Sequence, residues 1–217
     1  MKRENTNLIK NMVGVALFSA LAYSVSFITP LKVQHLSFDA KDAVLVIASF
    51  IYGPVSSITM SLLTSFLEFI TFGSTGIWGF IMDFASSAAF TLTASLIYKY
   101  RRSLNGAIIS LFAASAITTA VMMPLNILIT PRFTPVTAEV VIGMIPTLLL
   151  PFNFAKSLVN SAIAMLLYKP VVLGLKKAKM VDSKMSAKFD RKSLVMLILG
   201  GILLAAGLVI FYILNSK

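Results

Sequence analysis

The chain has 217 residues, 58% of them apolar and only 12% charged, with a mean hydropathy of +0.89 and a formal net charge of +11. Ordinary soluble domains carry about 25% charged residues, so most of this chain belongs in lipid and a sizeable soluble domain is excluded. With no Cys and a single His, a disulfide framework, thiolate chemistry and a histidine-based metal cluster are excluded as well.

Taken in chain order, apolar runs fall at Leu8 to Ile28, Ala43 to Tyr52, Pro54 to Phe72, Gly76 to Tyr98, Leu104 to Ile129, Phe152 to Val172 and Leu194 to Leu214. The first run, with its basic flank and Ala20-Leu21-Ala22, has the outline of a signal peptide. It is long enough to span by itself and further spans follow, so we read it as retained. Val140 to Leu150, after Thr130-Pro-Arg-Phe-Thr-Pro135, is too short to cross about 30 Å of hydrocarbon. It reads as a partly embedded or surface helix.

The second run is also short, and charge decides its role. If it spans and the N-terminus is inside, Lys2, Arg3, Lys10, Lys99, Arg101, Arg102, Lys169, Lys176, Lys177, Lys179, Lys184, Lys188, Arg191 and Lys192 are cytoplasmic. Only Lys32, Lys41, Arg132 and Lys217 fall outside, with Lys156 inside a span. If it does not span, every cytoplasmic cation from Lys99 onward changes side. The positive-inside rule therefore selects seven spans, N-terminus in and C-terminus out. The fold class is all-α, a polytopic membrane helix bundle. Residues 173–192 form a basic connector, with seven Lys/Arg and two Asp, read as a cytoplasmic loop against anionic headgroups.

Three ionisable residues, Glu68, Asp83 and Lys156, lie within spans, all toward the outer side. Asn126, Asn153 and Asn160 join them at a similar level; Asn153, Lys156 and Asn160 share one helical face at i, i+3 and i+7. A lysine at such depth costs about 2–3 kcal/mol unless it finds a partner or water. It can snorkel to the headgroups or clip to Asp83. Convergence of several polar groups on one level favours a ligand pocket that opens outward. Phe38, Phe69, Phe72, Trp78, Phe80, Phe152 and Phe154 would give it aromatic walls, or else form an interfacial belt.

The sequence has no Gly-x-x-x-x-Gly-Lys-[Ser/Thr], no His-Glu-x-x-His and no Gly-x-Ser-x-Gly. An autonomous ATP-driven pump is excluded; either ions or another subunit supply the energy. Ala16-x-x-x-Ala20 in the first span, and Gly201-x-x-x-Ala205 in the last, offer small-residue faces for close helix approach.

Short strings along the chain resemble the riboflavin-specific substrate-binding (S) components of bacterial energy-coupling factor (ECF) transporters. They are Phe38-Asp-Ala-Lys-Asp-Ala-Val44, Tyr52-Gly-Pro54, Ser65-Phe-Leu-Glu-Phe69, Gly76-Ile-Trp-Gly-Phe-Ile-Met-Asp-Phe84, Pro124-Leu-Asn126 and Phe152-Asn-Phe-Ala-Lys156. The resemblance covers about residues 8–178. It implies a six-helix core with a short second helix and a pocket near the outer face. It implies that Asn126, Asn153 and Lys156 contact riboflavin, and that Leu36, Ser37, Phe38 and Asp39 form a flexible lid and pocket wall. Ala16 and Ala20 match the family's docking motif for the transmembrane coupling subunit, two ATPase subunits drive transport, and a toppling motion is the family's proposed route inward.

The chemistry agrees with the pocket read from the residues. Asn side chains supply both a donor and an acceptor for the polar edge of the isoalloxazine ring, and Lys156 can donate to a ring or ribityl oxygen. Flavin mononucleotide is the alternative ligand, should Lys156 accept its phosphate. Glu68, Trp78 and Asp83 complete the candidate site. The expected organisation is a substrate-binding membrane domain over 1–178, a cytoplasmic linker over 179–193 and an additional helix over 194–217, read as a peripheral anchor. The expected location is the bacterial plasma membrane, and no resident cofactor or enzymatic activity is expected. Competing readings are another vitamin on the same scaffold (thiamine or a pterin), a self-sufficient transporter using Glu68 or Asp83 as a proton relay, and an intramembrane enzyme, for which the lone His35 offers little.

Overall fold

The computed structural model describes residues 2–28, 31–33, 36–178, 180 and 191–215. The elements are α1 (Lys2–Ile28), a hairpin of β1 (Leu31–Val33) and β2 (Leu36–Phe38), α2 (Lys41–Tyr52), α3 (Pro54–Phe72), α4 (Gly76–Tyr100), α5 (Leu104–Ile129), α6 (Ala138–Met144), α7 (Leu150–Lys177) and α8 (Arg191–Asn215). His35 and most of the basic connector, 179 and 181–190, lie outside the described residues.

Among the described residues, six stretches are long and apolar enough to cross a membrane: Leu8–Ile28, Pro54–Phe72, Gly76–Tyr100, Asn105–Arg132, Ala138–Lys177 and Leu194–Leu214. This is a multi-pass membrane protein with a helical-bundle fold. The second apolar run differs from the other six. α2 has 12 residues, about 18 Å of helix, shorter than the ~30 Å of hydrocarbon. It lies instead inside the bundle, against α1, α3, α4 and α7, and is buried along nearly its whole length. It still reverses the chain. Gly53 takes φ +91° and ψ 179°, a conformation that L side chains avoid. Its N–H donates to the Ser49 carbonyl and its own carbonyl accepts from Ser57 N–H. Pro54 then starts α3, where its missing N–H costs nothing.

Helices approach closely where small hydroxyl residues face each other. Ser61 meets Thr91 between α3 and α4 (3.1 Å), and Ser115 meets Ser161 between α5 and α7 (3.2 Å). One apolar core, built on Phe50, Phe90, Leu111, Met165 and Val172, fills the half of the bundle away from the hairpin.

Three expectations gain local detail. Leu36 to Asp39, expected as a lid loop, is mostly strand: β2 pairs antiparallel with β1 in the register Leu31↔Phe38, Lys32↔Ser37, Val33↔Leu36. The alternating Leu-Lys-Val and Leu-Ser-Phe triplets suit that pairing, which satisfies their backbone groups. Val140 to Leu150, expected as a partly embedded or surface helix, runs on into α7 through a π turn over Ile145–Leu149, where Leu150 N–H donates to the Ile145 carbonyl. Pro146 lies within that turn and Pro151 just beyond it; both lack N–H groups, so the α-helical ladder is interrupted and the wider turn carries the chain through. Finally, α8 stands at the edge of the bundle, its main contacts made with α7 and β1 and many of its apolar side chains exposed. It packs along α7, with Met196 (2% exposed) in the main core and Phe211 (7%) in a second cluster beside the hairpin.

Candidate ligand-binding site

The hairpin, the ends of α1, α3 and α5 and the starts of α4 and α7 meet at one end of the bundle. There they enclose a cavity of about 460 Å³, within the range of pockets that hold a vitamin-sized ligand. Its aromatic lining is Phe38, Phe69, Phe72, Phe80, Phe133 and Phe152. Its charged and amide lining is Asp39, Glu68, Asp83, Asn153 and Lys156.

Behind that lining runs an ion-pair network centred on Lys41. This side chain is completely buried, and its Nζ lies 2.6 Å from Glu68 Oε2 and 2.5 Å from Asp83 Oδ2. Ser65 Oγ donates to the same Asp83 oxygen at 2.5 Å. One helical turn deeper, Asp42 accepts from Ser87 Oγ at 2.6 Å. Such a lysine is tolerable only because two carboxylates face it; isolated, it would cost several kcal/mol, roughly the penalty of any buried ion.

The second cation, Lys156 Nζ, pairs with Asp39 Oδ2 at 3.3 Å. Asp39 Oδ1 also accepts from Lys41 N–H (3.2 Å), satisfying a free donor at the start of α2. Asn160 ties the two helices together: its Oδ1 accepts from Ala43 N–H (2.8 Å), and its Nδ2 donates to the carbonyls of Asp39 (3.0 Å) and Lys156 (3.1 Å). The shared face of Asn153, Lys156 and Asn160 is thus used twice, at the cavity by the first two and at the α2 N-terminus by the third. Glu68 Oε1 is buried without a hydrogen-bond partner among the described residues, although its side chain reaches the cavity.

The family model for the ECF transporter substrate-specific component matches residues 10–172. The chain belongs to this family. As a substrate-specific component it is a transport subunit, not an enzyme. It is similar to the riboflavin transporter RibU of Staphylococcus aureus (strain TCH60), 29% identical over 81% of this chain and 97% of that one. It is also similar to the riboflavin transporter FmnP of Bacillus subtilis (strain 168), 29% identical over 74% of this chain and 90% of that one. A solved S component of a bacterial ECF transporter superposes with a TM-score of 0.66 at 29% identity, covering 78% of this chain and 99% of that one.

Within this S component, the expected site residues separate into two groups. Leu36, Ser37, Phe38, Asp39, Glu68, Asp83, Asn153 and Lys156 all line the cavity. Asn126 and Trp78 do not. Asn126 is fully buried and turned onto its own helix: its Nδ2 donates to the Met122 carbonyl (2.7 Å) and its Oδ1 accepts from Thr130 Oγ1 (3.2 Å). Met122, one turn earlier, takes the cavity position. Trp78 packs with Met82, Met122 and Ile129, and the Arg132 guanidinium sits 5.7 Å above its ring. Phe154 points outward, half a turn from the Phe152 that lines the cavity. The expected clip between Lys156 and Asp83 is not formed as an ion pair; Asp39 takes the lysine, and Lys41 takes the aspartate.

Lys41 is the main omission of the sequence reading, which set it among the outer-loop cations. The signal was present in Asp39-Ala-Lys-Asp42, a charged cluster opening an otherwise apolar helix. A lysine heading an apolar run reads as a loop cation unless carboxylates at matching depth are noticed, and Glu68 and Asp83 are those carboxylates. Phe133, Met122 and the turn Gly73–Gly76 carried no distinguishing signal. Ala16 and Ala20 lie on the exposed side of α1.

Proposed function

We propose that this S component captures riboflavin in the cavity beneath the hairpin and presents it for uptake by the rest of an ECF transporter. The observation that carries this reading is one cavity with aromatic walls on one side and a carboxylate, amide and ammonium edge on the other. That combination suits a planar heteroaromatic body with a polar rim and a polyhydroxyl tail. The ring system lies among Phe38, Phe69, Phe80 and Phe152, and Asn153 meets its donor–acceptor edge. Glu68 Oε1, buried without a partner, accepts from a ribityl hydroxyl. Lys156 donates to a ring or ribityl oxygen while Asp39 holds it.

The same pairing bears on the phosphorylated form. Lys156 is already neutralised by Asp39, and Glu68 and Asp83 also face the cavity. A phosphate brought in by flavin mononucleotide meets two carboxylates and, among the described residues that line the cavity, no uncommitted cation, so riboflavin is the preferred flavin. Glu68 and Asp83 both engage Lys41, which fits a structural pair better than a proton relay.

The remaining assignments follow the family. The exposed Ala16 and Ala20 face on α1 is the docking surface for the transmembrane coupling subunit, and two ATPase subunits supply the energy. The cavity opens to the outside of a bacterial plasma membrane, the N-terminus is cytoplasmic and the C-terminus extracellular. Residues 1–178 form the substrate-binding domain.

The test is titration of the purified chain with riboflavin, flavin mononucleotide and thiamine, following flavin and Trp78 fluorescence. Saturable one-to-one quenching by riboflavin, with weaker competition by the mononucleotide and none by thiamine, is the expected outcome. Saturation by thiamine alone would refute it. Equal competition by the two flavins would refute the phosphate argument.

A further inference from the structure

The family match ends at residue 172, and α8 begins at Arg191. The last helix therefore lies beyond the family match, yet it touches the binding cavity's wall. Along α7, Gly207 faces Val159 so closely that a Cβ there would collide with the valine, and Gly200 sits over the Ala162 carbonyl and Leu166. This close seating carries α8 up to the hairpin, where it also meets β1. At that end Phe211 packs on Phe38 of β2, ring centroids 4.7 Å apart, and edge-on against Phe152 of α7 at 5.5 Å. Phe38 and Phe152 line the cavity; Phe211 stands behind both.

We infer that Phe211 is a positioning residue for ligand retention: α8 clamps the strand bearing Phe38 to α7 and so slows escape of the bound flavin. This rests on the riboflavin reading above. The ring touches no ligand. It acts by holding Phe38 and Phe152 as one wall, next to the residue, Asp39, whose carboxylate holds Lys156. Loosening that wall opens an exit without removing any group that contacts the vitamin, so dissociation speeds up while the encounter rate changes little.

The experiment is stopped-flow riboflavin binding to the full chain carrying Phe211→Ala, Phe211→Leu or Tyr212→Ala. Tyr212, the next residue on α8, is 76% exposed and serves as the control. Two aromatic contacts are lost in Phe211→Ala, so dissociation is expected to rise about tenfold, with association within twofold of the parent. Phe211→Leu keeps volume without the ring and is expected to fall between. Tyr212→Ala is expected to match the parent. A dissociation rate within twofold of the parent in Phe211→Ala would overturn the inference, as would a lowered melting temperature with unchanged rates. Should the alanine variant not fold, a parental rate in Phe211→Leu overturns it equally. If the parent itself binds no riboflavin, the functional reading fails and not the clamp.

Discussion

The two halves of the bundle solve the same packing problem with different chemistry. The half away from the hairpin is filled by Phe50, Phe90, Leu111, Met165 and Val172, with Tyr98 and Tyr168 sharing a hydroxyl contact at 3.1 Å. The half beneath the hairpin buries Lys41, Asp42, Asp39, Lys156 and Asn160 together with the cavity. Apolar packing would have been the cheaper choice there, since buried ion pairs rarely stabilise more than a hydrophobic replacement. The difference teaches where function sits: the polar half keeps an expensive arrangement because a ligand uses its edge, and the apolar half serves the fold alone. Changes in the polar half should therefore alter binding, and changes in the apolar half should alter stability only.

The sharpest way to break that contrast is at its two centres. Lys41→Met leaves Glu68 and Asp83 as partly buried carboxylates without their cation, and should destabilise the protein by about 3 kcal/mol; thermal unfolding in detergent reads this directly. Phe90→Ala, in the apolar half, should cost about as much, 3–5 kcal/mol. Below its lowered melting temperature, however, it should bind riboflavin with parental affinity. If Phe90→Ala weakened binding as strongly as a cavity substitution, the two halves would not be separable.

Gly53→Ala places a Cβ at φ +91° and should destabilise by about 1–3 kcal/mol without touching the cavity, as seen by the same melt. The smallest effect is expected at Trp78. It stands under Arg132 and off the cavity lining, so Trp78→Phe should shift riboflavin affinity less than twofold by equilibrium titration. A larger shift would return Trp78 to the site.

How much of this was legible beforehand depends on the range of each interaction. Helix positions followed from the length of apolar runs, and Gly53-Pro54 marked the reversal from α2 to α3. Asn153 and Lys156 were visible because a cation and an amide stand out on an apolar helix, one turn apart. Lys41 was not, because its partners Glu68 and Asp83 lie far along the chain and only packing brings them together. Asn126 stands off the cavity lining for a related reason. Asn126 and Asn153 both donate Nδ2 to the carbonyl four residues back, but only Asn153 also faces the cavity, and periodicity does not reveal that difference. The docking of α8 depends on Gly200 and Gly207, whose role appears only once Val159 and Ala162 are set opposite them.

The most direct test of the central claim is riboflavin affinity of the parent chain against Asn153→Ala and Lys156→Ala, measured by flavin fluorescence on protein that still melts cooperatively. Tight one-to-one binding by the parent, weakened at least several-fold in each variant, is the predicted result. Parental affinity in both folded variants would contradict it and place the ligand elsewhere.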